Sequence, residues 1–263
     1  MVPRPIATSD KVGDPGEIAG GFLTDCWDRP MSPASVTVNL EMWSTLMKAA
    51  AIPPAERSLS AAMREGSQEQ HDAAERSPFI SELLGGNLNT DAYVDYLLRL
   101  RVVYAALEDA VRIHRDDPLV AVVYDPALER LPAINADLQH WAGDQSRKLN
   151  SPAAEEYRGR LASTDSGGAL LAHHYTRYLG DLSGGRVIGR ALDRVFNLGG
   201  VGLTFYDFPM RPKPYKDAYR ARLDALSLQT GQVEEVVSEV QVAFRLNQAL
   251  FDELAGNLLN WRA

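Results

Sequence analysis

The sequence predicts an all-α protein, on three observations. From Leu59 onward, apolar residues recur at the three- and four-residue steps of helices. No segment sustains the apolar–polar alternation of a half-buried strand. The gaps between apolar runs carry Ser, Asn, Pro and Gly where helices start and stop.

Taken in order, Ser60 is the predicted N-cap of a helix running to about Arg76, with Pro78 past its end. Asn89-Thr90-Asp91 caps the clearest helix, whose face is Tyr93, Leu97, Leu100, Tyr104, Leu107 and Val111, ending near Asp117-Pro118. Ala127–Gly143 predicts another, interrupted by Pro132. Pro152 opens a short helix over Ala153–Ala162, at a position where its missing N–H costs nothing. Leu170–Phe196 reads as a long helix containing Gly180, Gly184, Gly185 and Gly189. Each glycine costs a helix interior about 1 kcal/mol relative to alanine, so a bend is predicted there. Gly199–Gly202 ends it, and Leu203–Pro209 is extended or irregular. Lys216 to about Ser227 is helical again. A final helix, Val233–Leu259, places Val236, Val240, Ala243, Phe244, Asn247, Leu250, Phe251 and Leu254 on one face.

Two regions are predicted: an N-terminal extension over 1–57 and a helical domain over 58–263. The extension is rich in Pro, Gly, Ser and Asp, with one amphipathic stretch at Val38–Ala51 broken by Pro53-Pro54. It lacks the basic start and apolar run of a secretory signal. No run reaches the roughly 18 apolar residues of a membrane span. The net charge of −8 disfavours a nucleic-acid surface. The single cysteine, Cys26, excludes an intrachain disulfide and a multi-Cys metal site, and fits a reducing compartment. The expectation is a cytoplasmic monomer with no membrane and no nucleic-acid partner.

Two segments carry candidate chemistry. In His174-Tyr175-Thr176-Arg177-Tyr178-Leu179-Gly180-Asp181-Leu182-Ser183-Gly184-Gly185, Gly180 and Gly184 share a helix face. A bare face lets backbone approach a flat, bulky group, or another helix. In Arg64–Glu75, His71 has Glu75 at i+4, which can orient one ring nitrogen and leave the other to a metal. A histidine on one helix facing a glycine-bared second helix is a layout for haem. His173 and His174 are competing ligand candidates, but lie about two turns from the glycine face. His114 and His140 read as surface residues.

The run YTRYLGDLSGG, Tyr175–Gly185, resembles the distal-helix signature of the haem oxygenases. Met63–Glu75 is similar to their proximal helix, and Tyr104-Ala105-Ala106-Leu107-Glu108 to their second helix. Val123-Tyr124-x-Pro126, Asp137-Leu138-x-x-Trp141, Gly202–Pro209, Tyr215–Arg220 and Ala243–Leu254 follow in the family's order. The resemblance spans about Leu59 to Leu259.

It implies a single helical domain with haem b held between a proximal and a kinked distal helix. His71 is then the iron ligand and Glu75 its orienting partner. Gly180 and Gly184 contact the distal face, and Asp181 organises the water that delivers protons. Tyr104, Arg177 and Asn247 match positions near that network. Arg64, Lys216 and Arg220 match the propionate cations, with Tyr175 nearby, and Phe244 and Phe251 match the wall. Gln68 replaces a basic residue often found there, which bears on haem orientation and hence on which meso carbon is attacked.

The implied reaction cleaves haem with O2 and electrons to biliverdin, CO and Fe2+, through a ferric hydroperoxide that hydroxylates a meso carbon. The implied electron donor is a ferredoxin with its reductase, or an NADPH-dependent reductase. A haem-binding or haem-transfer protein without turnover, and an interaction domain that binds no cofactor, are the alternatives.

Overall fold

A computed structural model describes residues 57–143 and 148–262. The expectations for Val38–Ala51 and Cys26 lie outside the described residues. The described chain is helical, and its one β-feature is an isolated antiparallel bridge between Leu88 and Arg262. No helix among the described residues is long and apolar enough to cross a membrane.

The described residues open with α1 (Leu59–Gly66), α2 (Gln68–Glu75) and α3 (Pro78–Leu84). The central helix α4 (Thr90–Ile113) starts where Asn89 Oδ1 accepts the N–H groups of Asp91 and Ala92. Then come α5 (Pro118–Ala121), capped by Asp117, α6 (Leu131–Ala142) and α7 (Pro152–Ala162), capped by Ser151. The glycine-rich region is α8 (Gly167–Gly180), a π-helical turn (Asp181–Gly185) and α9 (Arg186–Phe196). The last elements are α10 (Pro212–Asp224), α11 (Thr230–Ala255) and α12 (Leu258–Trp261).

Two long helices carry the packing. α4 is buried on more than its predicted face: Tyr93, Leu97, Leu100, Tyr104, Leu107 and Val111 are joined by Ala92, Val94, Tyr96, Leu98 and Val103. α6 and α7 pack along it. α11 runs against α8 and also touches α1, α2, α3 and α7. It therefore joins the N-terminal helices to the glycine-rich one. A large apolar cluster surrounds α4. A smaller one unites Leu59, Met63, Leu171, Tyr175, Tyr219, Val240 and Phe244, from α1, α8, α10 and α11. Buried Arg99 bonds Asp95 Oδ2 at 2.6 Å and Glu253 Oε1 at 2.9 Å, clamping α4 to α11.

Several boundaries differ from the sequence expectation. Ser58 occupies the first cap, and Ser60 lies inside α1, with its N–H and hydroxyl donating to Asp224. The predicted helix to Arg76 breaks at Ser67, whose hydroxyl bonds the Met63 carbonyl. That local bond competes with the helical ladder. Pro78 opens α3 instead of merely following a stop, because the Ser77 side chain caps Ile80 N–H. Pro132 likewise lies in the first turn of α6, preceded by a separate 3-10 turn at Pro126–Leu128. α10 starts earlier, at Pro212, and α11 ends earlier, at Ala255. Leu203–Pro209 contains a 3-10 turn at Thr204–Tyr206, whose first amides are held by Asp137.

Candidate functional site

The proximal candidates sit on α2. The His71 side chain is 13% exposed, with Nδ1 3.7 Å from Asp72 Oδ1 and 3.6 Å from Glu75 Oε1. Both carboxylates face one ring nitrogen, so Nε2 lies on the opposite edge of the imidazole. Burial lowers the His71 pKa, against the raising effect of Asp72. The ring is therefore neutral near pH 7, the form that ligates metals. Phe244 of α11 meets the imidazole edge-on, with centroids 5.9 Å apart. His71, Asp72 and Glu75 also form a group whose ligand atoms lie within 4.8 Å of one another.

The distal candidates converge from three helices. Arg177 of α8 donates from Nη1 to Asn247 Oδ1 of α11 at 2.6 Å. Its Nε and Nη2 donate to the Tyr104 hydroxyl of α4 at 3.2 and 3.0 Å. Tyr104 in turn donates to Asp181 Oδ2, and Arg177 Nη2 lies 3.8 Å from Asp181 Oδ1. Burial raises the Asp181 pKa, while Arg177 and then Tyr104 pull it down. Asp181 thus combines a perturbed carboxyl with a fixed set of donors, a combination common at reactive sites.

The backbone explains why Asp181 can be there. The predicted bend is a π-helical turn over Asp181–Gly185. Such turns widen the helix by one residue and recur at functional sites. A Cβ built on Gly180 would meet nothing within 4 Å, so this part of the backbone fronts open space. Gly184 is buried. Downstream, a Cβ on Gly189 would lie 3.0 Å from Tyr206 Cβ, so there the absent side chain serves close packing.

The predicted anion-binding residues also gather. The buried Tyr175 phenol is pushed up by desolvation and lies in the fields of Arg220 and then Arg64. Lys216 Nζ donates to Ser183 Oγ of the π-turn at 2.9 Å. Lys216 and Arg220 are half-buried on α10, whereas Arg64 is exposed on α1. Phe251 lies apart from Phe244, packing against Tyr96 with centroids 6.1 Å apart.

This set suits a planar iron porphyrin with two carboxylates. It offers a neutral imidazole, three cations, an apolar edge and a bare stretch of helix.

The two competing histidines are otherwise engaged. His173 is fully buried, with Nε2 2.9 Å from Glu239 Oε1 and Nδ1 3.2 Å from the Tyr157 hydroxyl. Burial pushes Glu239 up, but His173 and Arg160 outweigh it and hold the carboxyl at about 2. His174 Nδ1 is 2.9 Å from the Tyr219 hydroxyl. Of the other two, His140 is exposed and His114 half-buried.

Tyr96 and Tyr157 were missed by sequence reasoning. Burial pushes the Tyr96 phenol up to about 12, against the opposing field of Arg177. Tyr157 feels the same guanidinium from α7. Tyr96 was screened by its place off the strongest apolar face of α4. Its only sequence signal is a hydroxyl among apolar neighbours.

A family profile described as Heme oxygenase matches residues 57–253. The chain is 35% identical over 208 residues to a "Heme oxygenase" of Rhodella violacea, covering 76% of this chain and 88% of that protein. It is 34% identical to "Heme oxygenase 1" of Homo sapiens, covering 74% and 71%. Among solved structures it resembles heme oxygenase-1 from Synechocystis sp. PCC6803 in complex with heme, with TM-score 0.73 and 33% identity. That match covers 78% of this chain and 95% of the other. Profile, relatives and fold agree over the same helical region, and the chain belongs to the heme oxygenase family.

Proposed function

We propose that this haem oxygenase binds haem b through His71 and cleaves it, with O2 and reducing equivalents, to biliverdin, CO and Fe2+. The observation that carries the reading is the Tyr104–Arg177–Asn247–Asp181 network, set on a π-turn in a glycine-bared helix. Bound haem supplies the iron and the porphyrin carbon to be oxidised.

The chain's residues divide the remaining work. Glu75 and Asp72 hold His71 Nδ1 and so aim Nε2. Arg64, Lys216 and Arg220 would hold the propionates, with Tyr175 in the fields of Arg220 and Arg64. Phe244 limits the tilt of the His71 ring. Gly180, which fronts open space, and Gly184 would let backbone cover one face of the group. Asp181 holds a proton or a water at its carboxyl, and Tyr104 and Arg177 fix that carboxyl's direction. Asn247 fixes Arg177. Among the described residues, the distal network holds no histidine; its polar groups are a phenol, a guanidinium, an amide and a carboxyl.

The finer parts of the reading are a cytoplasmic, monomeric enzyme and a ferredoxin–reductase or NADPH-dependent donor.

An aerobic turnover tests the proposal. Haem-loaded protein is given ascorbate or a ferredoxin–reductase system, with His71→Ala alongside. Soret decay, a rising biliverdin band and ferrozine-detectable iron, all blunted in the variant, are expected. Stable haem with every donor would instead favour a binding protein on the same scaffold, and Asp181 would have no acid–base role.

A further inference from the structure

His174 is a buried titratable group that the reaction above does not use. It lies 2% exposed on α8, one residue before Tyr175. Its Nδ1 is 2.9 Å from the hydroxyl of Tyr219, itself fully buried on α10. The two rings are nearly parallel, 10° apart, with centroids at 5.8 Å. On its other side His174 packs against Tyr178, with centroids at 4.4 Å. An apolar side chain would fill this space as well, so the polar atoms need a reason.

The reason lies in what α10 carries. Tyr219 is adjacent to Arg220 and three residues from Lys216, two of the cations assigned to the propionates. The C-terminal half of α10 is fixed elsewhere: Arg222 donates to Val122 O at 2.7 Å, and Asp224 accepts from Ser60. Tyr215 ties the first half to Asp125 at 2.6 Å. Two side-chain bonds run from α10 to the distal segment. Lys216 reaches Ser183, and Tyr219 reaches His174. The first is exchangeable, because a propionate is a stronger partner for the ammonium than a hydroxyl. The second is buried and stays when substrate arrives.

We propose that His174 is a positioning residue for substrate orientation: its hydrogen bond to Tyr219 fixes where the α10 cations stand relative to the distal glycine segment. It thereby helps to set which meso edge lies under Asp181. This inference rests on the haem oxygenase reading and adds a determinant of regiochemistry to it.

The test uses four variants of the full chain. His174→Phe keeps the aromatic stack and removes the ring nitrogen that bonds Tyr219. Tyr219→Phe removes one oxygen. The double variant asks whether the two act as one unit. His174→Asn returns a hydrogen-bonding group close to the position of Nδ1.

Two readouts are needed. Amide hydrogen exchange over residues 212–224 in the haem-free protein reads the link without turnover. The biliverdin isomer ratio from haem reads its consequence. Either single variant should speed exchange by about tenfold, the double no further, and His174→Asn should restore it. The isomer ratio should shift in the same three variants and return in His174→Asn. An unchanged ratio in a folded His174→Phe or Tyr219→Phe would overturn the proposal, and so would exchange indifferent to all four. If His174→Phe does not fold, Tyr219→Phe decides by the same criteria. Wild-type protein that forms no biliverdin would overturn the reaction itself, while exchange would still read whether the link exists.

Discussion

The two sides of the proposed site, proximal and distal, are built in opposite ways. On the proximal side one two-turn helix, α2, supplies His71, Asp72 and Glu75 from sequence neighbours. None of the residues of α2 is fully buried. On the distal side Tyr104, Arg177 and Asn247 come from three helices, separated by 70 residues or more, and all three are buried. A ligand needs only a local orienting contact and space to move with its metal. A proton-delivering carboxyl needs a fixed direction, and a buried network supplies it.

That contrast predicts how the two sides fail. The largest effect belongs to Asp181→Asn. Biliverdin formation should fall by at least about 10²-fold while the Soret band of bound haem persists. Equal turnover would remove acid–base work from the distal side.

Next comes stability. Arg177→Ala removes the buried cation shared by Tyr104, Asn247 and Asp181, and should cost the haem-free protein about 3 kcal/mol in urea unfolding. His71→Ala should cost the same protein far less, while altering the Soret spectrum much more. Similar unfolding losses would erase the distinction between a local and a distributed site.

Acid should weaken the α8 core. The His174 pKa is pushed from 6.5 to about 3, chiefly by burial. Between those values the unfolded chain binds a proton that the folded one refuses. Stability therefore falls as pH drops from about 6.5 to about 3, by up to ~1.4 kcal/mol per unit from this group. Glu239, held at about 2, has the same sign over its own lower window: its contribution is present above 4.5 and lost towards 2. His174→Phe should flatten the unfolding profile between pH 6.5 and 3. A profile of unchanged slope would show that other groups set it.

The smallest effect is expected from Glu75→Gln. It leaves a partner for His71 on a partly exposed helix, so stability should change by under about 1 kcal/mol. Haem dissociation should quicken only a few-fold. A loss as large as that of His71→Ala would make the proximal side a coupled unit too.

The same contrast explains what the sequence discloses. His71 with Glu75 at i+4, and Gly180 with Gly184, are local patterns, and both were legible. The helix face of α11 was legible as well, because period alone selects Val236 through Leu254. The distal network was reachable only through resemblance, since nothing local in Asn247 announces Arg177. Ser60, Pro78 and Pro132 misled for a related reason. Each can stop, start or decorate a helix, and the choice depends on a neighbour, such as Asp224 for Ser60 or the Ser77 side chain for Pro78. Tyr96, Tyr157 and the His174–Tyr219 pair depend on packing between helices, which period does not encode.

The π-turn at Asp181–Gly185 also limits how this chain can change in length. Deleting one residue there would let an ordinary helix run from α8 into α9. Everything downstream would then rotate by about 100° and shift by about 1.5 Å. Gly189 would leave Tyr206, and Ser183 would leave Lys216. Side chains in this segment can be exchanged one at a time, but its residue count cannot. Insertions and deletions among homologous chains should therefore collect in the surface connections, such as the one between α10 and α11, and avoid these five positions.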